Sequence, residues 1–150
     1  MKISIGADHA GFEMKERVKA HLVSLGHDVQ DFGTHSTEST DYPPYAFRVA
    51  EAVRDAKVER GILLCDSGNG IAIAANKVGS IRATICLNVK MAELARRHND
   101  SNILVLASGF TAPEAVVPIL ETWLESPFDG GRHARRVAQI TEYERTHQHQ

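Results

Sequence analysis

The chain has 150 residues, 43% of them hydrophobic, which is enough to bury the core of a single domain. Its 17 basic and 19 acidic residues leave a net charge of −2, and no basic stripe is interleaved with aromatic residues, so nucleic acid is not an expected partner. The apolar run at the N-terminus is too short for a signal peptide or a membrane span, and we therefore expect a cytoplasmic protein without a membrane partner.

Apolar periodicity alternates between strand and helix character along the chain. The first predicted strand is ISIGA, followed by a helix that ends at Gly26. The second strand is HDVQDFG, and a polar loop separates it from a helix that turns Ala46, Val49, Ala50 and Val53 inward. The remaining strands are RGILLC, IRATIC and NILVLA, and the helices between and after them are predicted over 69–76, 89–97, 112–125 and about 135–144.

Strands that alternate with helices predict a five-stranded parallel sheet with helices on both faces, which is a three-layer α/β sandwich. No repeat, low-complexity tract or linker indicates a second domain. We therefore expect one domain over 1–150, with a frayed tail from about 145 to 150. Cys65 and Cys86 both close predicted strands and are expected to be free thiols in a reducing compartment.

Two loops that carry chemistry follow neighbouring strands of this predicted sheet. In parallel α/β sheets ligands bind beyond the carboxyl ends of the strands, where Asp8 and His9 meet the loop from Cys65 to Gly70. The glycines of that loop allow backbone N–H groups to approach an oxyanion at a helix N-terminus. The loop lacks the Gly-Lys-Ser/Thr of a P-loop. It also lacks the third small residue of a dinucleotide fingerprint and the arginine of a cysteine-dependent phosphatase, since these positions are Ile73 and Ile71.

Each of these residues also has a purely structural interpretation. A lone cysteine is most often a small buried hydrophobe, as we expect for Cys86. At a strand end before a helix N-terminus, however, the pKa of the Cys65 thiol can fall below about 8.5, which favours a base or nucleophile. Ser67 or Asn69 can cap the following helix, and Asp8 with His9 can form a capping turn.

Two later segments add candidate residues. RRHNDSN is either a basic helix end with an Asn-Asp turn, or it presents His98 as an acid–base group, since imidazole titrates near neutrality. GGRHARR is either a solvated basic patch or a phosphate grip formed by Arg132 and Arg136, one helical turn apart. No cysteine or histidine spacing is typical of a zinc site, so no metal is expected.

Together these motifs resemble the ribose-5-phosphate isomerase B family, which includes galactose-6-phosphate isomerase subunits. The resemblance rests, in the family's order from Met1 to about Ile140, on GADHAGF, DFGTHSTESTDYP, GILLCDSGNGIAIAANK, IRATIC, RRHNDSNIL and GGRHARRV. It implies a Rossmann-like parallel sheet and a dimeric active site. The implied reaction interconverts ribose 5-phosphate and ribulose 5-phosphate, in the pentose phosphate pathway, through a cis-enediolate and without a metal or organic cofactor.

The resemblance also implies residue roles. Cys65 would be the base that moves the proton between C2 and C1, and His98 would assist opening of the furanose ring. The backbone of Asp66, Ser67, Gly68, Asn69 and Gly70 would cradle the enediolate oxygens. The implied sugar contacts are Asp8, His9, Tyr42 and Asn99, and the implied phosphate ligands are Arg132 and Arg136.

The sequence departs from the family pattern at three positions. Ile71 stands where some members place a glutamate base, so the base must be Cys65. Asp66 replaces a common glycine, and its charge would raise the thiol pKa if it points inward. Gly109 stands where an arginine usually helps to bind phosphate, and the missing bulk would leave room for a longer sugar. The alternatives are therefore an isomerase of a six-carbon sugar 6-phosphate, of the allose or galactose type, and a non-catalytic sugar-phosphate-binding protein.

The predicted topology separates the two implied catalytic groups. His98 ends a helix that runs antiparallel to the strands, so it is expected near their amino ends, whereas Cys65 lies at a carboxyl end. One subunit is not expected to bring both groups to the same sugar. We therefore expect a homodimer with shared active sites, or a tetramer that contains such dimers.

Overall fold

The structure is a computed structural model that describes residues 1–147. These residues form five strands and six helices, which alternate as far as α5. The strands are β1 (Lys2–Ala7), β2 (Asp28–Asp31), β3 (Arg60–Cys65), β4 (Ala83–Ile85) and β5 (Ile103–Ala107). The helices are α1 (Phe12–Ser24), α2 (Pro43–Arg54), α3 (Asn69–Asn76), α4 (Val89–Asn99), α5 (Pro113–Glu125) and α6 (Arg132–His147).

All strand pairs are parallel, in the order β2-β1-β3-β5-β4. The first core packs α1, α4 and α5 against one face of the sheet around the buried Trp123, and the second packs α2 and α3 against the other face. The three central strands are buried along almost their whole length, as expected for a parallel sheet covered on both sides. The three-layer α/β fold is therefore confirmed.

The last helix differs most from its predicted bounds. It begins at Arg132 and continues to His147, so residues 145–147 are helical although the sequence suggested a frayed tail from about 145. The rest of that predicted tail, 148–150, lies outside the described residues. Helix α6 packs against α4, and the backbone N–H of Ser80 donates to the Glu144 carboxylate, which anchors the helix against the loop before β4.

Cys65 and Cys86 are buried free thiols, as predicted. Burial raises the pKa of Cys86 to about 11, which makes this thiol unreactive near neutral pH and consistent with a packing role. Within residues 1–147 the structure contains no helix with the length and apolar character needed to cross a membrane.

Candidate active site

The candidate site lies at the carboxyl ends of β1 and β3, where the chain segments that follow these two strands run in opposite directions. These two strands are neighbours, but the chain leaves β1 toward the β2 edge and leaves β3 toward the β5 side, which opens a crevice at their carboxyl ends. The backbone N–H of Asp8 donates to the Leu64 carbonyl at 3.3 Å. A Cβ atom on Gly11 would lie 2.5 Å from that same carbonyl oxygen, so only glycine allows the loop after β1 to approach β3 this closely.

Asp8 and His9 are both fixed by this loop. The buried Asp8 carboxylate accepts hydrogen bonds from the N–H groups of Ala10 (3.0 Å) and Gly11 (3.1 Å), so the capping-turn interpretation is correct for its Oδ1 atom. The N–H of Thr40 donates to Nδ1 of His9 at 3.1 Å. The Thr40 carbonyl oxygen also lies 3.2 Å from this nitrogen, so Thr40 holds Nδ1 in either tautomer of the ring. Thr40 therefore orients His9, a contact that the sequence did not reveal.

Cys65 ends β3 with its side chain only 5% exposed. Burial raises the pKa of the thiol, while hydrogen bonds from the N–H groups of Ile71 and Gly68 lower it and the charges of Asp8 and Asp66 raise it further. The net pKa is raised, so the lowering expected from the helix N-terminus is wrong. Its physical reason is that desolvation of a thiolate exceeds the gain from two loop N–H groups. Asp66 raises the pKa of the thiol, although its side chain is exposed rather than pointing inward as that prediction required.

The loop after Cys65 presents its backbone to the crevice. Gly68 takes a left-handed conformation with φ of 79°, and it precedes the first residue of α3, Asn69. The N–H of Asn69 donates to Ser67 Oγ at 3.2 Å, but the N-cap residue of α3 is Gly68, so neither Ser67 nor Asn69 is the predicted cap. A Cβ atom on Gly70 would lie 2.5 Å from Cζ of Tyr42, which places the tyrosine ring directly against the loop.

The two departures from the family pattern, Asp66 and Gly109, are in contact. The Gly109 N–H donates to the Asp66 carbonyl at 2.9 Å, and a Cβ atom on Gly109 would lie 3.0 Å from Cγ of Asp66 and closer still to its Oδ1. In this conformation the Asp66 carboxylate therefore occupies the space that was expected over Gly109. Ser108 joins the same strand ends, since its hydroxyl donates to the carbonyls of Ala10 (2.9 Å) and Cys65 (3.1 Å).

The other predicted site residues lie at the opposite edge of the sheet. His98 and Asn99 form the last turn of α4, where the Asn99 carbonyl accepts a hydrogen bond from Arg82, the residue before β4. His98 stacks on His133 in the first turn of α6, with ring centroids 4.0 Å apart. Arg132 and Arg136 flank His133 on the same helix and are exposed.

The structure thus divides the predicted site residues into two groups. The carboxyl-edge group contains Asp8, His9, Tyr42, Cys65, Asp66, Ser67, Gly68, Asn69 and Gly70. The amino-edge group contains His98, Asn99, Arg132 and Arg136. The strands between them have five or six residues, which separates the edges by roughly 15–20 Å. Neither group alone contains both the Cys65 thiol and the paired arginines.

One histidine cluster has the composition of a metal site. The ligating atoms of His98, Asp129 and His133 lie within 4.8 Å of one another. The two rings, however, are parallel within 7°, and the lone pairs of imidazole nitrogens lie in the ring planes, so they do not converge on a single ion. We assign no metal to this cluster.

Comparison with known proteins adds independent findings. A family model described as Ribose/Galactose Isomerase matches residues 3–140. The ribose-5-phosphate isomerase B of Escherichia coli (strain K12) is 48% identical over 143 residues, which cover 95% of this chain and 96% of that protein. The solved structure of Clostridium thermocellum ribose-5-phosphate isomerase B is 48% identical, with a TM-score of 0.96 over 97% of this chain and 99% of that one.

A ligand-bound relative is also similar. The structure of ribose-5-phosphate isomerase B from Mycoplasma genitalium with bound ribulose-5-phosphate is 37% identical, with a TM-score of 0.92 over 96% of each chain. Similarity of this extent covers both groups of site residues as well as the sheet that carries them.

Proposed function

This chain belongs to the ribose/galactose isomerase family, and we propose that it interconverts ribose 5-phosphate and ribulose 5-phosphate through a cis-enediolate in the cytoplasm. It is a sugar-phosphate isomerase that moves a carbonyl group between C1 and C2. The observation that carries the proposal is the position of the Cys65 thiol, which ends β3 directly before the loop that leads into α3.

In the proposed reaction, the Cys65 thiolate takes the proton from C2 of the open-chain aldose and returns it to C1. The electrons of the C2–H bond form the C1–C2 double bond, and negative charge develops on the C1 oxygen. The proton of the C2 hydroxyl then passes to the C1 oxygen, so that C2 becomes the ketone carbonyl when the thiol returns its proton to C1. Backbone N–H groups of Asp66, Ser67, Gly68, Asn69 and Gly70 stabilise that charge at the N-terminus of α3. The Cys65 thiol is neutral while it carries the proton, so the thiolate charge and the enediolate charge do not exist in the crevice at the same time.

Ring opening and phosphate binding need groups from the other edge of the sheet. We assign ring opening to His98, which gives a proton to the ring oxygen while the C1 hydroxyl releases its proton to solvent water. Arg132 and Arg136 bind the phosphate as a charge-assisted pair, with the His9 ring as a further partner. Tyr42, Asp8 and Asn99 contact the sugar. No metal or organic cofactor takes part in these steps.

The separation of the two groups supports a homodimer in which each subunit completes its partner's site, either alone or as part of a tetramer. A groove of about 500 Å³ runs along α3 and the edge strand β4, beside the candidate site. Its lining includes Asn69, the first residue of α3 after the Cys65 loop, and the exposed Ile73, which is 61% accessible. A partner subunit seated there would bury an apolar surface continuous with the crevice.

The alternatives are weaker. An isomerase of six-carbon sugar 6-phosphates needs space over Gly109, and the Asp66 carboxylate fills that space. A non-catalytic binding protein has no use for a thiol at the end of β3, directly before the loop that leads into α3.

A substrate panel tests the proposal. The purified protein is assayed with ribose 5-phosphate, allose 6-phosphate and galactose 6-phosphate, with and without EDTA. We expect the highest kcat/KM for ribose 5-phosphate and no effect of the chelator. A higher kcat/KM for either six-carbon substrate would overturn the substrate assignment. Binding of all three without turnover would favour the non-catalytic alternative.

A further inference from the structure

We propose that Asp66 is a specificity-determining residue, whose carboxylate closes the β5 side of the crevice to longer sugar phosphates and to the phosphate group itself. This inference rests on the proposed isomerase function for the identity of the substrate. It assigns to the Asp66 side chain a role distinct from that of its backbone N–H in the anion-binding loop.

The packing of Asp66 supplies the steric part. Asp66 follows the last residue of β3, and Gly109 lies two residues beyond the end of β5. The Ser108 N–H donates to the Cys65 carbonyl and the Gly109 N–H donates to the Asp66 carbonyl, both at 2.9 Å. These two hydrogen bonds hold the ends of the strands together. Because Gly109 has no side chain, the Asp66 carboxylate folds over its Cα. Both residues are exposed, so this carboxylate lies at the surface beside Cys65 rather than in the core.

The charge of Asp66 supplies the electrostatic part. The two charged groups that act on the Cys65 thiol are Asp8 and Asp66, and both are negative. Asp8 lies on the β1 side of the thiol with one carboxylate oxygen already bonded to two backbone N–H groups. Asp66 lies on the β5 side and is exposed. A phosphate placed beside Asp66 would therefore meet an uncompensated like charge at short range.

These two effects restrict how a substrate can lie. Its reacting carbons must be at Cys65 and the α3 N-terminus, while its phosphate must extend away from β5, toward His9 and the arginines contributed by the partner. A substrate one carbon longer has to displace either its phosphate or its extra carbon toward Asp66. The same side chain thus disfavours both the longer chain and the reversed orientation.

Two substitutions separate volume from charge. Asp66→Gly removes both the bulk and the charge, whereas Asp66→Asn removes the charge and keeps the shape. We expect Asp66→Gly to raise the ratio of kcat/KM for allose 6-phosphate to that for ribose 5-phosphate about tenfold or more, the scale of discrimination that a lost steric contact gives. Asp66→Asn should change this ratio less than threefold.

Phosphate binding provides a readout that needs no turnover. Titration calorimetry with inorganic phosphate at low ionic strength should show about two- to fivefold tighter binding in both variants, with the gain lost at high salt. The matched control is Glu114→Gln, which removes the same charge from an exposed side chain in the first turn of α5, at the same edge of the sheet. It should leave the substrate ratio and the phosphate affinity at their wild-type values.

Each outcome decides the proposal. An unchanged substrate ratio in Asp66→Gly removes the steric role, and phosphate affinity that is unchanged or weaker in Asp66→Asn removes the electrostatic role; either result overturns the proposal as stated. A wild-type protein that turns over none of these sugars would instead refute the proposed function, while the phosphate titrations would still test Asp66. The exposure of Asp66 makes a folding defect unexpected, and thermal melts of all variants check this.

Discussion

The imidazole rings of His98 and His133 lie face to face, with centroids 4.0 Å apart and planes inclined by 7°. This stack joins the last turn of α4 to the first turn of α6 and connects the proposed ring-opening group to the helix that carries both arginines. Burial lowers the pKa of His133, and the positive charges of His98, Arg132 and Arg136 lower it further. His133 is therefore harder to protonate than a free imidazole.

Replacing His133 tests this arrangement. His133→Ala removes the stacking surface and should lower kcat/KM for ribose 5-phosphate about tenfold, because the His98 ring loses its fixed orientation. His133→Phe keeps a flat ring that cannot be protonated and should restore most of the activity. Equal losses in both variants would show that the ring nitrogens of His133, rather than its stacking, are needed.

The same pair predicts how stability depends on pH. The pKa of His133 is lower in the folded protein than in the unfolded chain, so the unfolded state binds more protons as the pH falls through about 6.5. The stabilising contribution is present above that pH and is lost toward acid. Chemical denaturation between pH 8 and pH 5 should show a loss of unfolding free energy that is smaller in His133→Phe. If His133→Phe lost as much unfolding free energy between pH 8 and pH 5 as the wild type, the acid sensitivity would belong to another group.

Cys65 should be indispensable for turnover but not for folding. Cys65→Ala removes the proposed base and should lower kcat by about 10²–10⁴, the usual contribution of general-base catalysis. The matched control is Cys86→Ala, which removes the other buried thiol and should keep near wild-type kcat. Calorimetry should show that Cys65→Ala still binds ribose 5-phosphate. Turnover by Cys65→Ala near the wild-type rate would refute the assignment and make the Asp66 carboxylate the candidate base.

The pH dependence of kcat follows from the raised pKa of the thiol. Burial, Asp8 and Asp66 together keep the thiolate fraction small at neutral pH, so kcat should rise with pH until the thiol is ionised. Asp66→Asn removes one negative charge and should shift this limb of the profile to lower pH. Glu114→Gln removes a charge at the same edge of the sheet and should leave the pH profile of kcat unchanged. A shift toward higher pH in Asp66→Asn would contradict the electrostatic effect of Asp66 on the thiol.

Local sequence patterns were sufficient for the sheet and for the edge where the chemistry lies. Buried strands that end in polar residues place Asp8 beside Cys65 in any parallel α/β sheet, and left-handed Gly68 is readable from the strand-to-helix turn. Helix bounds were predicted less well. Helix α4 ends two residues after its predicted end at 97, and α6 extends three residues beyond each end of its predicted range of about 135–144.

Contacts between distant residues could not be read from local patterns. The sequence identified both Asp66 and Gly109 as unusual, but not that the one side chain fills the space left by the other. The direction of the Cys65 pKa shift was wrong because it depends on how completely the sheet and α3 exclude water from the sulfur. The stacking of His98 on His133 required the packing of α6, although both residues lie in motifs that the sequence had already singled out.

The separation of His98 from Cys65 gives the most direct test of assembly. If each site combines Cys65 of one subunit with His98 of its partner, Cys65→Ala and His98→Ala are each inactive alone but complement each other when mixed. A mixed dimer has one site in which both residues are altered and one in which both are intact. Equal amounts that exchange freely should therefore recover about a quarter of the wild-type activity, since half of the dimers are mixed.

The two variants also serve as the controls for this experiment. Each variant subjected alone to the same dissociation and reassociation should remain inactive, and native mass spectrometry of an isotope-labelled partner reports how much mixed dimer has formed. Recovered activity should rise in proportion to that fraction. Inactivity despite complete exchange would mean that both groups act within one chain. Since the strands of one sheet keep the two edges about 15–20 Å apart, a site within one chain would require a rearrangement of α4 and α6 on substrate binding.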